Sequence, residues 1–220
     1  MIIAQNIHKK YDDLAVLKGV NIHIAKGEIV AIVGPSGAGK TTLLQILGTL
    51  DTPSNELEFE LKLNNVSLKD ISEEQLAAFR NQHIGFIFQF HQLLPEFSTL
   101  ENVCIPAYIA KKPKEKTIQR AKELLTFLGL ENRIHHKPNE LSGGEQQRVA
   151  VARALINNPV VIFADEPSGN LDSASAKSLH ELFFKLRDTY GQTFVMVTHN
   201  EELAAMADRK LTMKDGKINN

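Results

Sequence analysis

A short apolar run, Ile29-Val-Ala-Ile-Val33, empties into Gly34-Pro-Ser-Gly-Ala-Gly39-Lys40-Thr41, and no other stretch of the chain constrains its fold as tightly. The run is strand-sized and reads as buried on both faces. Beyond the glycines, Leu43, Leu44, Ile46 and Leu47 continue without a breaker until Gly48, which predicts a helix. A buried strand, a glycine-rich turn and a helix in immediate succession open a parallel α/β unit. The turn matches G-x-x-x-x-G-K-[ST] without a mismatch, in the strand–loop–helix context that gives such a match meaning. Glycines let backbone N–H groups face inward, and the helix amino end adds positive potential, so the loop is a cradle for phosphates. Gly34, Pro35, Ser36, Gly37, Ala38, Gly39, Lys40, Thr41 and Thr42 are therefore candidate nucleotide-binding residues. Lys40 offers a point charge to the β- and γ-phosphates, and the Thr41 hydroxyl a ligand to Mg²⁺.

The rest of the chain repeats the strand–helix theme. Residues 84–88, 160–164 and 193–197 are apolar and strand-sized, and Ala176, Leu179, Leu182, Phe183 and Leu186 recur at helical spacing. Leu57, Phe59, Leu61 and Leu63 alternate with polar residues, as a half-exposed antiparallel strand does. Helical patterns dominate from about 99 to 157, punctuated by Pro106, Pro113, Pro138 and Pro159. The expectation is a single domain over 1–220, with a parallel sheet flanked by helices and a helical subdomain inserted at roughly 90–158.

Composition narrows the setting. The chain is 43% hydrophobic and 23% charged, as in an ordinary globular protein. A formal net charge of −1 supplies no field for nucleic acid, which is not expected as a partner. One cysteine, Cys104, excludes an internal disulfide and reads as a small buried residue. No apolar run approaches the roughly 18–20 residues that span a bilayer, and no export signal is visible. The chain is expected to remain in the cytoplasm and to reach a membrane only through a partner.

Asp165 and Glu166 follow an apolar strand and precede Pro167. Beside a phosphate loop, Asp165 is placed to hold Mg²⁺ and Glu166 to act as general base on the attacking water. Gln89 and His199 also follow predicted strands. Gln89 is a candidate for Mg²⁺ or the attacking water, and His199 for a hydrogen bond to the γ-phosphate, although a lone residue of either type is usually structural. Tyr11 is a candidate for stacking on adenine, against the plainer reading of a surface tyrosine. Ser142-Gly-Gly-Glu145 reads as a capping box. Its two glycines also leave a helix amino end open to a phosphate, and this chain's own loop needs no second such site. Ser142, Gly143, Gly144 and Glu145 are better explained as a half-site that closes over the nucleotide of a second copy. His135-His136 lacks companion ligands at metal spacing, and Lys111-Lys112-Pro-Lys114 reads as a charged helix entry.

Taken together these motifs resemble the ATP-binding cassette (ABC) ATPases over almost the whole chain. The resemblance sets Gly34–Thr41 as phosphate loop, Gln89 as Q-loop residue, Leu141–Gln146 as signature, and residues 161–165 with Glu166 as Walker B strand and base. It sets Ser168-Gly-Asn-Leu-Asp172 as D-loop, His199 as switch histidine and Tyr11 as the adenine-stacking residue. It implies a P-loop NTPase (RecA-like) core with an antiparallel β subdomain and an inserted helical subdomain. It also implies Mg²⁺ and ATP, a head-to-tail homodimer with ATP at the interface, and permease subunits in the bacterial inner membrane. The chain would then be peripheral, on the cytoplasmic face.

Within the family, Phe90-His91, Leu93-Leu94-Pro95 and Glu101-Asn102-Val103 resemble most the lipoprotein-releasing ATPases, the LolD group. Related groups are MacB-type efflux ATPases, peptide-antibiotic exporters and FtsE-type division ATPases. The same resemblance makes Phe90–Val103 the segment that receives the permease, with Phe90, Leu93 and Leu94 expected to touch it. Two turns that usually carry glycine have Asn55-Glu56 and Asn64-Asn65 here, and asparagine tolerates left-handed backbone.

Overall fold

The fold is taken from a computed structural model that describes residues 1–54, 58–69 and 71–219. Strands β1 (Ile2–Tyr11) and β2 (Leu14–Ile24) pair antiparallel, with register shifts between Ala4 and Ile7, Ile7 and His8, and Lys9 and Lys10. The buried strand β3 (Ile29–Val33) follows, then helix α1 (Lys40–Leu47). An eight-residue helix is marginal alone. Leu43, Leu44, Ile46 and Leu47 anchor it in the core, each burial contributing about 1.5–3 kcal/mol.

Strands β4 (Glu60–Leu63) and β5 (Val66–Ser67) form a hairpin whose turn, Asn64-Asn65, has φ of 49° and 65°. Two asparagines in left-handed backbone make the tight turn that glycines would otherwise make. Phe59 precedes this strand rather than joining it, and Leu57 and Asn55-Glu56 lie outside the described residues. Among the described residues, β2, β1, β4 and β5 form one sheet in that order.

Helix α2 (Glu73–His83) buries none of its residues and leads to β6 (Ile84–Phe88). Three helices come next: α3 (Thr99–Ile109), α4 (Lys114–Phe127) and α5 (Gly143–Leu155). Pro113 and Pro138 stand at element starts, as expected, but Pro106 lies inside α3. The Pro106 carbonyl accepts from the side chains of Asn81 and Asn157, and these tertiary bonds help hold the helix through the proline.

The chain finishes with β7 (Val161–Asp165), α6 (Ser173–Tyr190), β8 (Thr193–Val197), α7 (Glu201–Met206), β9 (Arg209–Lys214) and β10 (Lys217–Asn219). The second sheet runs β10-β9-β3-β8-β7-β6, with β9, β3, β8, β7 and β6 mutually parallel. Apolar residues cover both faces of β3, β7 and β8, as a parallel sheet between layers requires. Register decides where function can sit. Ile32 pairs with Val197, Val197 with Asp165, and Asp165 with Phe88. The loops after β3, β8, β7 and β6 therefore leave the sheet along one edge, the edge where open α/β sheets bind ligands. No helix of the described residues is long and apolar enough to cross a membrane.

Candidate functional site

The loop after β3 is built for an anion. Gly34, Gly37 and Gly39 have φ of 147°, 76° and 97°, backbone that side chains rarely adopt. At Gly34 a Cβ would also lie 2.0 Å from the Met213 carbonyl oxygen, so the loop and β9 approach too closely for any other residue. Gly39 places α1 with no side-chain cap on its amino end, and its first N–H groups have no intrahelical acceptor. Lys40 is buried, and its Nζ donates to the Gly34 and Pro35 carbonyls at 2.9 Å each. The ammonium thus sits within the curl of the loop.

Next to it, Thr41 Oγ1 donates to Asp165 Oδ1 at 3.1 Å, joining the loop to the end of β7. Burial pushes the Asp165 carboxyl above the usual carboxylate range, and the Thr41 hydrogen bond and the Lys40 charge oppose that. A hydroxyl and a carboxylate together offer hard oxygen donors that suit Mg²⁺. Among the described residues no group of three or more His, Cys, Asp or Glu is placed to hold a metal. A cation at this point would need phosphate oxygens or water to complete its shell, which fits a metal brought in with a nucleotide. His135 and His136 belong to no such group among the described residues.

Glu166 departs from ordinary backbone. Its φ is 47°, a conformation that costs about 1–3 kcal/mol outside glycine and persists where neighbours fix it. Its N–H donates to the Val197 carbonyl at 2.9 Å, and its carbonyl accepts from Gly169 at 3.0 Å. The His199 N–H donates to Glu166 Oε2 at 3.1 Å. His199 Nε2 stands 3.3 Å from Glu166 Oε1, an approach that leaves this oxygen without a formed hydrogen bond. The candidate base and the candidate γ-phosphate donor are therefore neighbours.

Gln89 is elsewhere. Its Nε2 donates to Asn170 Oδ1 at 3.0 Å and its carbonyl accepts from Asn170 Nδ2 at 3.2 Å, a reciprocal pair that ties the end of β6 to residues 168–172. Among the described residues no hydrogen bond joins Gln89 to Thr41 or Asp165. Tyr11 donates to Asp51 Oδ2 at 2.6 Å, and Lys9 lies 4.9 Å over its ring while also pairing with Asp51. The ring is 44% exposed, and its hydroxyl neighbours Thr42 beside the loop. One aromatic face is thus held close to the phosphate cradle.

Ser142 and Glu145 form the capping box on α5. Ser142 Oγ accepts from the Glu145 N–H at 3.3 Å, and Glu145 Oε2 accepts from the Ser142 N–H at 2.8 Å. The Ser142 N–H bond, with Arg133 at 3.0 Å, holds the Glu145 carboxyl below the usual range. Ser142 and Gly143 are exposed. A cavity of about 330 Å³ beside them is lined by Gly129, Arg148 and Ser175 among others, and by no residue of the phosphate loop.

The family described as ABC transporter matches residues 17–169, which carry the loop, the capped α5 and Asp165-Glu166. The chain belongs to the ABC transporter family. It is an ABC-type ATPase with the P-loop NTPase fold expected from its sequence. It is 59% identical over 218 residues to the lipoprotein-releasing system ATP-binding protein LolD of Bacteroides fragilis, covering 99% of this chain and 100% of that protein. The protein of the same name from Cytophaga hutchinsonii is 58% identical, covering 98% and 97%. Two dimeric structures of the ATP-binding cassette MJ0796 superpose with a TM-score of 0.90, at 40% and 41% identity and over 100% of this chain and 97% of theirs. The first is a post-hydrolysis state bound to ADP and Pi.

The segment read as partner contact divides. Phe90 is 74% exposed, and Leu94 and Phe97 are exposed. Leu93, expected to touch a partner with Phe90 and Leu94, is partly buried and packs against the core. Asn102 and Val103 are buried, and Asn102 bonds the Leu94, Phe97 and Ser98 backbones, so the end of the segment is a brace. Sequence reasoning missed Asp51, Gln147 and His180. A signal existed for Gln147, a glutamine on the stripe 147, 150, 151 and 154 that is otherwise apolar.

Proposed function

We propose that this chain is the ATP-hydrolysing subunit of a bacterial lipoprotein-releasing complex, bound to the cytoplasmic face of the inner membrane through permease subunits. Its full-length likeness to the Bacteroides fragilis protein carries this reading. No observation favours the efflux, peptide-resistance or division alternatives over it. In this reading Lys40 and the loop N–H groups hold the β- and γ-phosphates, Tyr11 stacks on adenine, and Thr41 and Asp165 hold Mg²⁺. The metal supplies neutralisation of phosphate charge; the residues do the rest. Glu166 takes the proton of the attacking water, and His199 steadies both Glu166 and the γ-phosphate. Gln89 reaches the metal or water by leaving Asn170.

Two copies lie head to tail, with Ser142, Gly143, Gly144 and Glu145 of one over the nucleotide of the other. ATP that touches both copies only when they are closed shifts the population toward closure, and hydrolysis reverses it. Motion passes to the membrane through a groove of about 560 Å³ lined by Leu50, Phe86, Phe88, Pro106, Ile109 and Arg153. Arg153 holds the His91 and Gln92 carbonyls and so fixes the loop that presents Phe90. An apolar, half-enclosed groove of this kind suits a short cytoplasmic helix of a permease.

The test is to express tagged Glu166→Gln chain in its host, solubilise membranes gently with ATP and Mg²⁺, and identify co-purifying proteins by mass spectrometry. Permease subunits with large periplasmic domains together with lipidated proteins are expected. Soluble partners alone would overturn the transport reading.

A further inference from the structure

Gln147 is wholly buried, on α5, five residues after the Ser142 cap. Its Nε2 donates to the Pro167 carbonyl at 2.6 Å and to the Phe88 carbonyl at 3.3 Å. Those two oxygens belong to the residue after Glu166 and the residue before Gln89. The amide can face only one way, because the reverse orientation would set its oxygen against two carbonyl oxygens. Its Oε1 is then buried without a hydrogen-bond partner among the described residues. An orphaned acceptor is unfavourable, and a leucine or methionine would fill the same space without it. The two carbonyls are what the amide is there to hold.

We propose that Gln147 is a positioning residue for Glu166, one that ties the amino-terminal turns of α5 to the strand ends bearing Glu166 and Gln89. The backbone of Glu166 is left-handed and needs fixing from outside. Its own N–H and carbonyl are fixed from Val197 and Gly169. Gln147 supplies a further tether, at the next peptide. From the other side His180 Nε2 meets the buried Ser168 Oγ at 2.9 Å, so residues 166–168 lie between two helices. Among the described residues, the hydrogen bond recorded between residues 166–168 and α5, the helix whose amino end faces the second copy in the proposed dimer, is the one from Gln147. Movement of α5 as the copies close is thereby delivered to the base, and the Phe88 bond delivers it to Gln89 at the same time. Misplacing a base by about 1 Å costs on the order of 10²-fold in rate.

The inference rests on Glu166 acting as the base, and a double-mutant cycle separates the two claims. Gln147→Met preserves volume and removes the donor. The expected result is a kcat loss of about 10-fold or more, with ATP affinity within about 3-fold of wild type, and restoration toward wild type when a donor is kept in Gln147→Asn. In a Glu166→Gln background the same Gln147→Met change is expected to cost less than about 2-fold, because there is no base left to position. Equal losses in both backgrounds, or unchanged kcat in Gln147→Met while Glu166→Gln is strongly impaired, would overturn the role of Gln147 alone. Near-normal turnover in Glu166→Gln would overturn the base itself. Should Gln147→Met not fold, hydrogen exchange of the Gln147 side-chain amide in the unmutated chain decides. Protection comparable to core backbone amides supports the tether, and exchange at solvent rate refutes it.

Discussion

The amino end of α1 and the amino end of α5 are both rich in glycine, yet they are finished in opposite ways. At α1 no side chain caps the helix, the loop is left-handed at three glycines, Lys40 lies in its curl and Asp165 meets Thr41. At α5 a serine and a glutamate satisfy each other's backbone partners, and the cations recorded near it are engaged, Arg133 by Glu145 and Arg148 by the Leu128 carbonyl and the Ser178 hydroxyl. The first end offers a lysine and open backbone N–H groups, which in the proposed function hold the phosphates without a second copy. The second has a hydroxyl, open glycines and an acidic side chain, so its attraction for a free phosphate is weak. It becomes useful once a phosphate is already fixed opposite it. In the proposed dimer these two ends are unequal half-sites, each completed by the other copy.

Changes at the two ends should therefore fail differently. Glu166→Gln is expected to slow turnover by about 10²–10⁴ while ATP still binds, as loss of a general base does. Steady-state ATPase assays beside equilibrium nucleotide binding check it. Lys40→Met should weaken ATP binding by about 10–100-fold, the worth of one charge-assisted contact, and by the same amount in monomer and dimer. Ser142→Ala should leave monomer affinity unchanged and reduce turnover, with a loss of about 1 kcal/mol from the missing cap, or roughly 2–4 °C in Tm. If Ser142→Ala weakens nucleotide binding by the monomer, the two ends are not separate half-sites.

The smallest stability effect concerns Asp165 and has the opposite sign. Burial raises its carboxyl in the folded chain above the value it has unfolded. The folded state therefore prefers the protonated form, and the penalty for the charged form is full above the folded pKa and relieved as pH falls through it. At neutral pH Asp165→Asn should raise the Tm of the nucleotide-free chain while removing Mg²⁺-dependent hydrolysis. Thermal melts at pH 7 and near pH 4 check it, the gain being smaller at the lower pH.

How legible each part was in the sequence follows the distance over which its cause acts. The strand, loop and helix around Gly34 are local, and so is the capping box at Ser142. Each is written in a few consecutive residues. Strands β1 and β2 are long but went unread, because register shifts at Ala4, Ile7 and Lys9 break the alternation that betrays a strand. Helix α2 fully buries none of its residues and offers only Leu76 and Phe79, partly buried, as an apolar signal. Pro106 looked like an end because the side chains that help hold its turn come from positions 81 and 157. Gln147 and Asn170 act through partners far off in sequence, and only the fold reveals what they hold. The pinning of Tyr11 by Asp51 is of the same kind.

The central claim is that the two half-sites meet between copies, and cross-linking tests it most directly. Cys104 is buried, and burial pushes its thiol up, so an introduced cysteine would react without competition. Two differently tagged Glu166→Gln chains, one with Ser36→Cys and one with Ser142→Cys, would be mixed and treated with a short thiol cross-linker. The account predicts a mixed covalent dimer that forms with ATP and Mg²⁺ and is lost without them. Absence of that mixed band, with ATP demonstrably bound, would contradict it.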